Sequence, residues 1–159
     1  MLARSWAFVR TLVFLVFVVG TVAIIVPLAL LQRAAPAPPL VPGLGPLLLA
    51  LAAVLWFWSG FGFSFVGRGT PSPIDAPRAL VVWGPYRYVR NPMYVAVLLA
   101  IFGFAIENSS IAVALYGLAV FVAFHVFVLW YEEPTLERRF GDDYVRYKRT
   151  VGRWIPRPR

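Results

Sequence analysis

The sequence predicts an all-α integral membrane protein with four transmembrane helices, both termini on the inside, and a C-terminal interfacial amphipathic helical segment. Three observations carry this expectation. First, 60% of the 159 residues are hydrophobic and the mean hydropathy is +0.75, whereas soluble globular chains are about half apolar. A single domain of this length cannot hide that much apolar surface in its own core, so lipid must cover the rest. Second, the apolar residues gather in four nearly uncharged runs, 11–31, 44–67, 92–106 and 111–131. A span needs about 20 such residues; the third run is short and must be extended or shielded by its neighbours. Third, fourteen of the fifteen basic residues fall before the first run, between the second and third, or after the fourth, and Arg33 alone falls elsewhere. The positive-inside rule then selects one topology, with the N- and C-termini cytoplasmic.

The same composition excludes several chemistries. There is no Cys, so no disulfide, thiolate nucleophile or thiolate metal site is available. The single His, His125, argues against a His-based metal centre, and no metal is expected. The net charge of +8 reads as membrane orientation. No basic region stands apart from the apolar runs, so no nucleic-acid partner is expected. Run 11–31 is too long for the apolar core of a signal peptide and reads as a span.

Along the chain, residues 34–45 are rich in Pro and Gly and form an outer connector. Trp56, Phe57, Trp58, Phe61, Phe63 and Phe65 load the second run with aromatics. Packing and an interfacial belt explain them better than a ligand wall. Gly60 and Gly62 invite close helix approach. Four prolines between Pro71 and Pro85 prevent a regular helix there. Residues 79–83 read as a short extended piece and Gly84-Pro85 as a turn. Asn91-Pro92 then looks like a helix start, with Asn91 at the N-cap and Pro92 at the first helical position.

Residues 107–110 make a tight polar loop, so the third and fourth spans form an antiparallel hairpin. The start of the third span therefore lies on the same face as the end of the fourth. Arg90, Asn91 and Tyr94 are brought near Glu132 and Glu133. Two carboxylates at a helix C-terminus are unfavourable without compensation; Arg90 or a cationic ligand would supply it. The N-terminus of the third span offers free N–H groups and suits an anion. Together the two ends suit a zwitterion, with Tyr86, Tyr88 and Tyr94 able to stack on a ring or face a cation. His125, inside the fourth span, is a functional candidate by location, weighed against a neutral His bonded to Tyr116 or a backbone carbonyl. After Pro134, Leu136, Phe140, Tyr144, Tyr147 and Val151 form one apolar stripe, with Gly141 dividing it into two short helices. That stripe reads equally as an interfacial anchor and as a lid over the site.

The run GPYRYVRNPMY (84–94), a helical hairpin, EExxL at Glu132, Glu133 and Leu136, and FGxxYxxYK from Phe140 to Lys148 together resemble the isoprenylcysteine carboxyl methyltransferase family and the related membrane phospholipid N-methyltransferases. The resemblance covers roughly residues 67–156. It implies a membrane methyltransferase that uses S-adenosyl-L-methionine, with residues 1–66 as two N-terminal spans and 67–156 as the cofactor-binding core. Carried over by motif, the cofactor residues are Arg78, Ala79, Leu80, Val81, Tyr86, Asn91, Pro92, Met93, Tyr94 and Glu132. Glu133 and Arg90 are the expected catalytic pair, one taking a proton from an amine acceptor and the other holding the cofactor's carboxylate. The acceptor implied is a lipophilic carboxylate, amine or thiol arriving from the bilayer. Two departures stand out: the eukaryotic carboxyl methyltransferases have His at the position of Asn91, and Arg at that of Val128. The competing functions are an NADPH-dependent reductase of the sterol-reductase type, and a non-catalytic membrane scaffold.

Overall fold

Apolar runs in lipid must satisfy their backbone internally, and helices do so within one segment. The computed structural model describes residues 19–33, 35–65 and 80–157, and among them it is helical with no sheet. Helix α1 is Thr21–Leu31, α2 is Leu44–Phe65, α3 is Pro92–Glu107 and α4 is Ile111–Phe127. A wide π turn, Val128–Glu132, joins α4 to α5, Glu133–Phe140, and α6 is Asp142–Thr150. Stretches Leu44–Phe61 and Ile111–Phe140 are long and apolar enough to cross a bilayer. Thr21–Leu31 and Pro92–Glu107 are apolar but shorter. The start of the first expected span, Arg78 and Ala79 lie outside the described residues.

The small core matches the composition. Ile101 and Val113 are fully buried beside Ala23, Val97 and Ala105, while Phe57, Leu115 and Trp130 are largely exposed. Helix α3, of 16 residues, spans roughly 24 Å at 1.5 Å per residue, short of the roughly 30 Å hydrocarbon core. Its neighbours shield it, and Pro92, Ala96, Val97, Ile101, Gly103 and Ala105 are buried.

Close helix approach falls at different glycines from those expected. A Cβ at Gly60 would meet nothing within 4 Å, and the side-chain surroundings of Gly62 lie outside the described residues. A Cβ at Gly103 would instead lie 3.1 Å from the Gly45 carbonyl oxygen, and one at Gly45 would lie 3.0 Å from that of Gly103. Helices α2 and α3 thus touch backbone to backbone at the end away from Trp58. The exposed Phe57, Trp58 and Phe61 fit a belt.

Helix α3 ends at Glu107 and Ser110 caps α4 by accepting from the Val113 N–H, so the hairpin is as tight as the polar loop predicts. Leu40 N–H donates to the Ile106 carbonyl at 2.9 Å, which places the 35–43 connector at the same end as that loop. The Tyr116 hydroxyl donates to the Val22 carbonyl at 3.0 Å, pinning α4 to the π-type first turns of α1.

Pro134 accounts for the second π turn. It has no N–H to donate, and its ring would press on the carbonyl four residues earlier, so the helix widens there. Gly141 has φ of +52°, a backbone state that favours Gly, and it separates α5 from α6. The apolar stripe on these helices is buried inward: Tyr144, Tyr147 and Val151 pack with Leu80, Leu136 and Phe140. It covers the extended segment before the Gly84–Arg87 turn, as a lid would.

Candidate functional site

At the end opposite the hairpin loop, three pieces of chain converge: residues 80–94, the end of the α4 run, and residues 151–154. The Gly84–Arg87 turn is a short 3-10 helix that buries Pro85 and Tyr86. The Tyr147 hydroxyl donates to the Tyr86 carbonyl at 2.6 Å, which fixes the turn beneath α6. Leu80 is half-buried and Val81 buried against the same layer.

The hairpin brings the two expected ends together. The Tyr94 hydroxyl donates to Glu132 Oε2 at 3.0 Å. Arg90 Nη1 donates to Glu133 Oε1 at 2.8 Å. Both of these partners are almost wholly buried, with side chains 6% and 10% exposed. Arg153 joins them, with Nε donating to Glu133 Oε1 at 2.6 Å and Nη2 to Oε2 at 3.0 Å. Glu133 is therefore gripped by two guanidiniums, one of them bidentate. Such contacts stabilise the carboxylate as an anion and make it a poor proton acceptor. Arg90 is likewise committed to Glu133. This geometry suits both residues to positioning, unlike the proton-taking and carboxylate-holding roles expected from the sequence.

Asn91 stands at the N-cap of α3, but its side chain makes no cap bond. Its Nδ2 donates instead to the Arg153 carbonyl at 3.2 Å. The first turn of α3, with buried Pro92 and half-buried Met93, thus keeps its backbone N–H groups from its own cap residue. Tyr88 is exposed. Val128 is 1% exposed, sealed inside the π turn.

Burial and charge tune the hydroxyls. Tyr86 is held well above the usual phenol range, first by burial and then by the Glu132 carboxylate nearby. Tyr144 is pushed up to about 12, by burial and then by Glu133, against an opposing Arg90. Burial also raises Tyr147. All three remain neutral at working pH, and Tyr147 is the one shown donating, to the Tyr86 carbonyl.

His125 is bonded, but not to the partners expected. Its Nδ1 accepts from Trp154 Nε1 at 3.0 Å, while Tyr116 is spent on α1. Trp154 also stands 6.4 Å from the Tyr94 ring and 5.4 Å from that of Phe121. Sequence reasoning missed Arg153 and Trp154, treating the terminal basic residues as membrane anchors. The VGRW run carries no periodicity, and its bonds reach 20 to 62 residues back.

A separate apolar cavity of about 380 Å³ lies between α1, α2 and α3, walled by Ala23, Ala52, Trp56, Ala96 and Ala100 among others. Among the described residues no cluster of metal-ligating side chains occurs.

Comparison with known proteins fits this geometry. The family model for phospholipid methyltransferase matches residues 41–143. An uncharacterised protein of Haemophilus influenzae is 34% identical over 64 residues, which is all of that protein and 40% of this chain.

Proposed function

Because this chain belongs to the phospholipid methyltransferase family, which implies methyl transfer to a membrane lipid, we propose that it is a four-span, N-in/C-in enzyme using S-adenosyl-L-methionine at its cytoplasmic face. The single observation behind this is the pairing of Tyr94 with Glu132 at the junction of α3 and α4. There a carboxylate lies beside the start of a helix. The donor set fits the cofactor's amino acid end, which is a zwitterion. In this reading Glu132 accepts from the ammonium or a ribose hydroxyl, and the first turn of α3 offers N–H groups to the carboxylate.

When bound, the cofactor supplies a methyl group already activated on a sulfonium, so displacement needs alignment more than acid–base help. The residues divide that task. Tyr94 orients Glu132, and Tyr86, held by Tyr147, forms the floor beside it. Arg90 and Glu133 lock the two helix ends at a fixed separation. Leu80, Val81, Asn91, Pro92 and Met93 line the approach, with Arg78 and Ala79 assigned to the same role by motif. Residues 1–66 anchor the enzyme, while 67–156 hold the cofactor. The apolar cavity of about 380 Å³ between α1, α2 and α3 supports a lipophilic acceptor, a carboxylate, amine or thiol, reached sideways from the bilayer. A proton released by an amine acceptor leaves to solvent at the cytoplasmic rim.

The test is transfer of labelled methyl from S-adenosyl-L-methionine into organic-extractable lipid by protein in nanodiscs made from total membrane lipid. Label in the lipid phase that requires the protein is the expected result. Absence of label, together with saturable NADPH binding, would overturn the proposal in favour of a reductase.

A further inference from the structure

The two sides of the proposed site come from different elements, the start of α3 and the end of the α4 run. Their direct links are the Tyr94–Glu132 bond and the Arg90–Glu133 pair. Residues 151–154 bind both sides at once. Toward α3, the Arg90 N–H donates to the Gly152 carbonyl at 2.8 Å, Val89 and Gly152 form a parallel bridge, and Asn91 Nδ2 donates to the Arg153 carbonyl. Toward the α4 run, Arg153 holds both oxygens of Glu133, and Trp154 bonds His125. The path is sterically exact at Gly152, where a Cβ would fall 1.9 Å from the Ile155 carbonyl oxygen. Trp154 then lays its ring beside Tyr94, the phenol that orients Glu132. The strap itself lies beyond residue 143, where the family match ends.

We propose that this C-terminal strap is a wall of the cofactor site, with Arg153 as a positioning residue acting through Glu133 and Trp154 as the ring that backs Tyr94. This rests on the methyltransferase reading above. Its chemistry is specific. Arg153 makes two charge-assisted bonds from a planar fork, whereas a lysine at the same place makes one from a point charge. A strap that merely tied down the C-terminus would affect melting and leave the affinity of folded protein alone.

The experiment is calorimetric titration of S-adenosylhomocysteine into the full-length protein in detergent, with ligand-free melting measured in parallel. The set is wild type, Glu132→Ala, Arg153→Gln, Arg153→Lys and Trp154→Leu. Removing the bidentate partner of the buried Glu133 carboxylate predicts roughly 10- to 100-fold weaker binding for Arg153→Gln. Arg153→Lys should fall between that variant and wild type while melting close to wild type. Trp154→Leu should weaken binding too, and with Arg153→Lys it decides the matter if Arg153→Gln fails to fold. Wild-type affinity in folded Arg153 and Trp154 variants, with Glu132→Ala still deficient, overturns the strap alone. No binding by wild type overturns the strap together with the methyltransferase reading.

Discussion

The molecule has two ends built on different physics. At the hairpin-loop end and through the apolar helices, contact is made by small residues: Gly45 against Gly103, Ala23 and Ala105 beside Ile101. Lipid is as apolar as these side chains, so packing and backbone approach hold the helices together. At the opposite end a buried carboxylate, two guanidiniums and several hydroxyls are bonded across 20 to 62 residues of sequence. The first end stabilises the bundle. The second sets distances between side chains to within a bond length, which is what placing a reactive cofactor requires. Damage to the first should reduce melting temperature, and damage to the second should reduce binding or activity.

The largest expected effect comes where both ends' properties depend on one residue. Glu133→Gln leaves the buried Arg90 and the partly exposed Arg153 without their anion, a loss of about 3–5 kcal/mol. Melting in detergent should drop sharply and ligand binding should vanish with it; a variant that melts like wild type would show that the ion triad holds nothing together. Gly103→Leu comes next. Its side chain must displace the α2 backbone near Gly45, at about 1–3 kcal/mol or more. Here the comparison sharpens, because whatever protein folds should bind S-adenosylhomocysteine normally. Tyr94→Phe removes the bond to Glu132 without emptying the site. A loss of about 0.5–1.5 kcal/mol in binding free energy, with melting little altered, would mark the polar end as functional. Tyr116→Phe is its mirror image: the bond to the Val22 carbonyl is lost, so melting should fall modestly while binding stays intact.

Alkaline titration gives the smallest signal. Tyr144 keeps its proton to about 12 in the folded protein against 10.0 unperturbed. The folded state thus binds that proton more tightly. Its contribution to stability is full below pH 10 and declines as pH rises toward 12. A Tyr144→Phe variant should show a shallower loss of stability across that window.

Much of the apolar end was legible in the sequence, because hydropathy and the 107–110 loop act locally. The meeting of Arg90 and Tyr94 with the Glu132–Glu133 pair was also legible, since a tight antiparallel hairpin forces it. The partner assignments were not. Arg90 was expected either to compensate the acid pair or to hold a ligand carboxylate; it pairs with Glu133, and a second arginine 63 residues further on, which the sequence did not point to, completes the triad. Asn91 stands at the N-cap position as expected, but its side chain makes no cap bond, and its Nδ2 donates to the Arg153 carbonyl. Gly60 was expected at a helix contact that Gly45 and Gly103 provide, since spacing alone does not say which face of α2 meets α3. The π turn before Pro134 also rotates the acids relative to a regular helix, which no periodicity reveals.

The central claim is that the start of α3 and the end of the α4 run together hold S-adenosyl-L-methionine, with Glu132 as the contact. Calorimetric binding of S-adenosylhomocysteine to wild type and to Glu132→Ala tests it most directly, since Glu132 stands outside the Arg90–Glu133–Arg153 ion triad and its removal should spare the fold. Saturable binding by wild type that Glu132→Ala abolishes, at unchanged ligand-free melting temperature, is the predicted result. Equal binding by both proteins would contradict the site, and no binding by wild type would contradict the cofactor.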